Sequence, residues 1–270
     1  MASIDGLAAP SSTEVRILTA PAIPQDYRIS IALPRSYASQ PERSYPTIYV
    51  TDAIVLFGMI TDITRLMNLC GQFPETIIVG IGYPVNDPLD EALTQWDNLR
   101  ARDLTPIADL SHGPQTGGAP AFLSFIKTDL IPMIEREYRA DPTSRVLAGF
   151  SYGGLFVLHA LFHQPDLFKS YIAGSPPLTF GNRVTFTYEA EYAAAHTDLA
   201  VNLYFGVGGE EEEVEWPMVS EYYKFAARLQ SRKYEGFSLT THVFENCTHC
   251  AAPAPFFQAG LQAVLSERQQ

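Results

Sequence analysis

The chain has 270 residues, 46% of them hydrophobic, and a formal net charge of −12 from 18 Lys+Arg against 30 Asp+Glu. That composition can fill a sizeable core and excludes global disorder. The acidic balance argues against nucleic-acid and anionic-membrane partners, both of which recruit clustered Lys and Arg.

Residues 1–25 are polar and interrupted by proline, as in an arm or an edge strand. They lack the basic and apolar stretches of a secretory signal. Tyr27–Leu33 (YRISIAL) alternates with period two and stops at Pro34, the pattern of a half-buried strand. Thr47–Thr51 and Thr76–Ile81 are continuous and β-branched, like strands buried on both faces. Between them lies the longest apolar run, Ala53–Ile60, far short of the ~20 residues that cross a bilayer. The segment 83–117 is long and polar, and reads as a small cap. Gly118–Tyr138 carries Phe122, Phe125, Ile126, Leu130, Met133 and Ile134 at helical spacing, with a kink expected at Pro132.

Arg145–Phe150 reads as a short strand followed at once by an apolar helix, Leu155–Phe162. Tyr171–Ala173 and Ala200–Val207 are further strands, Pro217–Lys233 a helix, Ser238–Phe244 a last strand and Pro255–Leu265 a final helix. Strands alternating with helices of this length predict βαβ units: an α/β fold with a mostly parallel sheet and helices on both faces. Residues 26–270 form one domain in this reading.

The strongest local signal is Gly149-Phe150-Ser151-Tyr152-Gly153-Gly154. The pentapeptide G-x-S-x-G alone is weak; its place between a buried strand and an apolar helix is that of a nucleophile elbow. Ser151 is then the candidate nucleophile, and the backbone N–H of Tyr152 one oxyanion donor. Of the six histidines, His112, His159, His163, His196, His242 and His249, only His249 sits between the last strand and the final helix, where this fold carries its base. His242 lies within the strand. His159 and His163 share a helix face but lack the glutamate of a zinc protease motif. The acid belongs in the loop after Ala200–Val207, which runs into Glu210 to Glu213 with Glu215 close behind. Most of that cluster reads as solvated loop. Cys247-Thr248-His249-Cys250 has no second CxxC, and the remaining cysteine, Cys70, is far upstream. Packing is therefore expected rather than a metal site, and three cysteines are too few for a disulfide scaffold. A cytoplasmic protein without metal or cofactor is the expectation.

At this point the chain resembles the esterase branch of the α/β-hydrolases that groups enterochelin-type siderophore esterases, esterase D-like enzymes and mycolyltransferases. The resemblance runs from Tyr27 to Leu265. It is carried by IYVTDAIVLFG, VGIGYP, RARDLTP, FLSFIKTDLIPMIEREYR, LAGFSYGGLFVLHALFHQPDLF, IAGSPPL, LYFGVGGEE and CTHCAAPAPFF. It implies Ser151 as nucleophile, His249 as base and, counting G-x-x-E from Gly208, Glu211 as acid. The family often has LDG where this chain has Thr51-Asp52-Ala53, a departure that bears on the shape of the oxyanion hole; the second oxyanion donor is expected from the loop after Thr51, at Ile54. After Ser175-Pro176 the family commonly has an aromatic; this chain has Pro177-Leu178-Thr179-Phe180.

The activity implied is hydrolysis of carboxylic esters through an acyl-enzyme, on a small-molecule ester or lactone of siderophore type. An acyltransferase or thioesterase would use the same triad, and a hydrolase-fold binding protein is the non-catalytic alternative. Arg100 and Arg102 stand either as local cations for an anionic substrate or as plain surface salt bridges. The oligomeric state is not legible in the sequence.

Overall fold

The computed structural model describes residues 12–266 apart from 22, 86–88, 114 and 214–215. Its strands are β1 (Thr13–Ala20), β2 (Gln25–Ala32), β3 (Tyr45–Val50), β4 (Ile77–Gly82), β5 (Ala140–Phe150), β6 (Ser170–Gly174), β7 (Asn202–Gly208) and β8 (Ser238–Phe244). They form one sheet in the order β1-β2-β4-β3-β5-β6-β7-β8. β1 pairs antiparallel with β2, and β2 with β4; every other pairing is parallel. The helices are α1 (Ala53–Leu69), α2 (Leu89–Leu104), α3 (Ala119–Phe125), α4 (Ile131–Glu137), α5 (Tyr152–His163), α6 (Phe180–Ala195), α7 (Met218–Arg232) and α8 (Pro253–Leu265).

Strand side chains alternate between the two faces, which explains two cores from one sheet. Tyr49, Val79, Leu147, Tyr171 and Phe205 pack among residues of α3, α4, α5 and α7. Their neighbours Ile48, Ile78, Val146, Ile172 and Tyr204 pack with Leu56 and Ile60 of α1 and Phe256, Phe257 and Leu261 of α8. Both faces are covered, so β3 and β4 read as uninterrupted apolar runs. This is the α/β-hydrolase architecture. No helix among the described residues is long and apolar enough to cross a membrane.

The helix expected over 118–138 is broken differently from the simple kink anticipated at Pro132. A π-helical turn, Ile126–Leu130, joins α3 to α4 just before the proline. Proline lacks the N–H that would close the preceding turn, and its ring crowds the carbonyl four residues back. A widened turn accommodates both. β5 starts at Ala140, five residues earlier than the apolar signal, beside a register shift between Tyr45 and Thr47.

Three helices were not legible: α1, α6 and α2, the last lying inside the polar segment read only as a cap. In α1, Ile54, Val55, Leu66 and Leu69 are exposed while Leu56 and Ile60 are buried. Apolar residues on several faces blur the 3.6-residue period. α6 opens on left-handed Gly181, Asn182 and Arg183 (φ 56, 54 and 62°) and continues with the strand-like series Val184-Thr185-Phe186-Thr187-Tyr188. Tertiary contacts hold it. The wholly buried Glu189 accepts from Arg232 (2.7 and 2.9 Å) and from the Tyr234 hydroxyl (3.0 Å), and pairs with Arg228 at 2.6 Å.

All six parallel strands end at the same edge of the sheet, where loops collect ligands in open α/β folds.

Candidate active site

Between the end of β5 and the start of α5 stands a single residue, Ser151, with φ 59° and ψ −123°. A non-glycine residue avoids this conformation unless its surroundings impose it. Here the Ser151 N–H donates to the Gly174 carbonyl (2.8 Å), and its own carbonyl accepts from Leu155 N–H (3.0 Å). The turn is close-packed. A Cβ on Gly149 would strike the Gly153 backbone, and one on Gly154 the Gly174 carbonyl. The glycines around the serine are therefore a steric requirement of the elbow.

β7 and β8 are parallel neighbours in register, Gly208 beside Phe244, so the loops that follow leave the sheet side by side. Backbone bonds join them: Gly209 N–H to the Phe244 carbonyl (2.8 Å) and Glu210 N–H to the Cys247 carbonyl (3.1 Å). This brings Glu211 and His249 together. His249 Nδ1 lies 2.6 Å from Glu211 Oε2. A carboxylate only accepts, so Nδ1 carries the proton and Nε2 of the neutral ring is left as acceptor. The other carboxylate oxygen, Oε1, accepts from Gly208 N–H (2.7 Å) and Ser175 Oγ–H (2.6 Å). Glu211 is 5% exposed, and its orientation is fixed from three directions. The ring of Phe150 packs on His249 with centroids 5.0 Å apart.

The acidic cluster is thus not uniform. Glu212 turns away and accepts from Ser220 N–H at the start of α7 (2.8 Å) and from the Ser220 hydroxyl. Glu210 and Glu213 line the same cavity as Ser151, Glu211 and His249, a space of about 500 Å³ walled also by Tyr152, Pro177 and Trp216. Glu215 lies outside the described residues. Pro177 stands on the wall, and Phe180 packs behind it, edge-on to Tyr152 at 6.2 Å.

Tyr152 opens α5, with its N–H at the helix N-terminus. Ile54 occupies the first turn of α1, where N–H groups have no partner within the helix; its side chain is exposed and it does not line the cavity. The turn before it presses on the elbow, with Thr51 Oγ1 and Asp52 Oδ2 against Gly153. Asp52 itself is left-handed (φ 55°) and buried. Its carboxylate accepts from Arg100 Nε (2.8 Å), Arg100 Nη2 (3.0 Å) and Trp96 Nε1 (3.1 Å) of α2.

Neither arginine singled out in the sequence is a surface salt bridge or a free cation. Burial pulls the Arg100 guanidinium pKa down, but Asp52 more than offsets this and holds it above the ordinary value. Arg102 forks onto buried Asp103 (2.7 and 2.9 Å), which also accepts from the Tyr27 and Tyr83 hydroxyls.

The other histidines are accounted for elsewhere. His159 and His163 stack at 4.1 Å against Tyr188, and burial, aided by His163, depresses His159 to about 3. His196 stacks on Tyr192, and His242 is an exposed residue of β8. His112 packs between Phe180 (4.7 Å) and Trp216 (5.1 Å), and its Nδ1 lies 3.3 Å from the Tyr152 hydroxyl. All three cysteines are free thiols. Among the described residues no group of three or more His, Cys, Asp or Glu could hold a metal ion. Sequence reasoning missed Ser175 and the Asp52–Arg100–Trp96 cluster. Arg100 was singled out as a cation, but nothing in the sequence joined it to Asp52 and Trp96, or Ser175 to Glu211.

Comparison with known proteins bears on the family and the fold. The model of the family described as "Putative esterase" matches residues 20–266. The ferri-bacillibactin esterase BesA of Bacillus subtilis is 39% identical over 181 residues, covering 62% of this chain and 58% of that protein. The apo-salmochelin esterase of Escherichia coli is 29% identical over 252 residues, covering 88% of this chain and 73% of that protein. The crystal structure of the BES protein from Bacillus cereus has a TM-score of 0.85 at 25% identity, covering 99% of this chain and 100% of that one. With a family match across nearly its whole length and a tight strand-to-helix turn at Ser151, the chain belongs to this esterase family of the α/β-hydrolase fold.

Proposed function

We propose that the chain hydrolyses carboxylic esters through an acyl-enzyme on Ser151, with siderophore-type lactones as the substrate class. The observation that carries the reading is the 2.6 Å contact between His249 Nδ1 and Glu211, in one cavity with a serine held at φ 59°. Ser151 Oγ attacks the ester carbonyl as His249 Nε2 takes its proton. His249 then returns that proton to the departing alcohol, and a water repeats the sequence on the acyl group. Glu211 keeps the ring in the tautomer that can accept, and offsets the imidazolium charge. The oxyanion is met by the Tyr152 N–H and a second donor from the turn after Thr51, for which Ile54 is our candidate. The siderophore class is supported by two relatives named for such esters. Within this reading, segment 83–117 with α2 is a cap, and three free thiols suit the reducing cytoplasm.

A fluorophosphonate probe tests the nucleophile. One adduct is expected on the wild-type peptide containing Ser151 and none on Ser151→Ala. Ser175 is the obvious rival, but it is wholly buried and its hydroxyl donates to Glu211; labelling there would end the assignment. A screen of p-nitrophenyl esters, aryl esters and a siderophore trilactone then gives the substrate range.

Cys247 and Cys250 flank His249 without bonding to it. Cys247→Ser/Cys250→Ser should retain at least roughly a tenth of wild-type kcat/KM, a loss below ~1.4 kcal/mol in transition-state stabilisation. EDTA should change neither protein. A metal requirement in initial-rate assays would overturn the mechanism.

A further inference from the structure

The cavity at Ser151 is electrostatically one-sided. Two of its walls carry the carboxylates of Glu210 and Glu213, and no Lys or Arg lines it among the described residues. The other two described members of the cluster are already engaged, Glu211 by His249, Ser175 and Gly208, and Glu212 by Ser220. Glu210 and Glu213 are exposed and have no side-chain partner among the described residues. Arg100 approaches the lining at Tyr152, its guanidinium over that ring at 5.1 Å. It is forked onto Asp52 and stands 3.8 Å from Asp97, so two carboxylates surround one positive charge and nothing positive is left for a ligand. The whole chain adds a long-range field of the same sign.

A second, independent feature shares that wall. Trp216 remains 38% exposed beside the carboxylates, its ring meeting His112 at 78°. An open indole next to unpaired carboxylates matches the chemistry that recognises an ammonium group, by charge and by the negative face of the ring. The strained serine and the Glu211–His249 pair mark the same space as a ligand site on separate grounds.

We propose that the ester this site prefers carries a positive charge near the scissile bond, an ammonium on its acyl or alcohol part held by Glu210, Glu213 and Trp216. The converse is that an anionic ester is disfavoured relative to a neutral or amine-bearing one. The ester-hydrolysis reading underlies this proposal, but the ammonium site can be measured without turnover.

Three esters of one acid separate the outcomes: a choline ester, the neutral ester with carbon in place of the quaternary nitrogen, and a matching ester ending in a sulfonate. At low salt, kcat/KM for the choline ester should exceed that of its neutral isostere by about tenfold or more, with the sulfonate slowest. The spread should narrow at high salt. In Glu210→Gln/Glu213→Gln the cation-to-neutral ratio should fall to within about threefold of unity, with circular dichroism verifying the fold. In parallel, calorimetry on Ser151→Ala should show choline binding that the Glu210→Gln/Glu213→Gln pair removes. Equal turnover of cation and isostere, together with no choline binding, overturns the proposal and leaves ester hydrolysis standing. Choline binding with no hydrolysis of any ester does the reverse.

Discussion

Glu211→Gln should lower kcat by ~10²–10⁴, with KM within about threefold of wild type. The carboxylate's surroundings dictate how the amide would sit. Oε1 accepts two donors, Gly208 N–H and Ser175 Oγ–H, so the amide oxygen takes that position and the NH₂ faces His249 Nδ1. Nδ1 must then accept, which moves the ring proton to Nε2. A ring protonated at Nε2 cannot take the Ser151 proton. Glu212→Gln is the control, because its carboxylate is exposed and bonds to Ser220 outside the cavity; it should stay within about threefold, as an exposed contact contributes only ~0–1 kcal/mol. The downfield Nδ1 proton resonance of His249 should disappear in Glu211→Gln alone. If kcat of Glu211→Gln stays above roughly a third of wild type, the site works as a Ser151–His249 dyad.

Asp52→Ala is expected to be the most destabilising single change near the site. It leaves the Arg100 guanidinium buried without its forked partner and Trp96 Nε1 without an acceptor. Breaking one side of a buried pair costs ~3–5 kcal/mol. Alanine also tolerates the left-handed φ of 55° less well than aspartate, adding to the loss. For a chain of this size the thermal midpoint should fall on the order of 10 °C. Asp52→Ala/Arg100→Met should regain a substantial part of that loss, since it removes both charges rather than orphaning one. An unchanged midpoint in Asp52→Ala, read by differential scanning calorimetry, would refute the account.

The candidate site was legible where chemistry forces a local pattern. A buried strand ending at Phe150, glycines around Ser151 and an apolar helix leave the elbow few alternatives. A histidine between the last strand and the last helix was equally restricted. Singling out Glu211 needed the family spacing, because the four neighbouring glutamates are chemically identical in sequence; only the fold aims one at His249 and another at Ser220. The supports were illegible for the same reason. Asp52, at the head of α1, and Trp96 and Arg100, on α2, meet only after α2 docks. Likewise α1 and α6 become helices through what they pack against, Leu56 and Ile60 on the sheet and Glu189 among arginines, with no clean period of their own.

The exposure contrast within the Glu211–His249 pair bears on which acceptor an acyl group on Ser151 would meet. The histidine side chain is 44% exposed, and its carboxylate partner 2%. The ring that would deprotonate an incoming acceptor in the proposed mechanism is therefore wetted by solvent in which water stands at about 55 M. A dissolved alcohol at millimolar concentration faces a disadvantage of roughly four orders of magnitude, and overcomes it only if the protein holds it at an effective molarity above that of water. Transfer to another molecule would thus require a second bound acceptor beside His249, whereas hydrolysis requires only the open mouth this cavity already has.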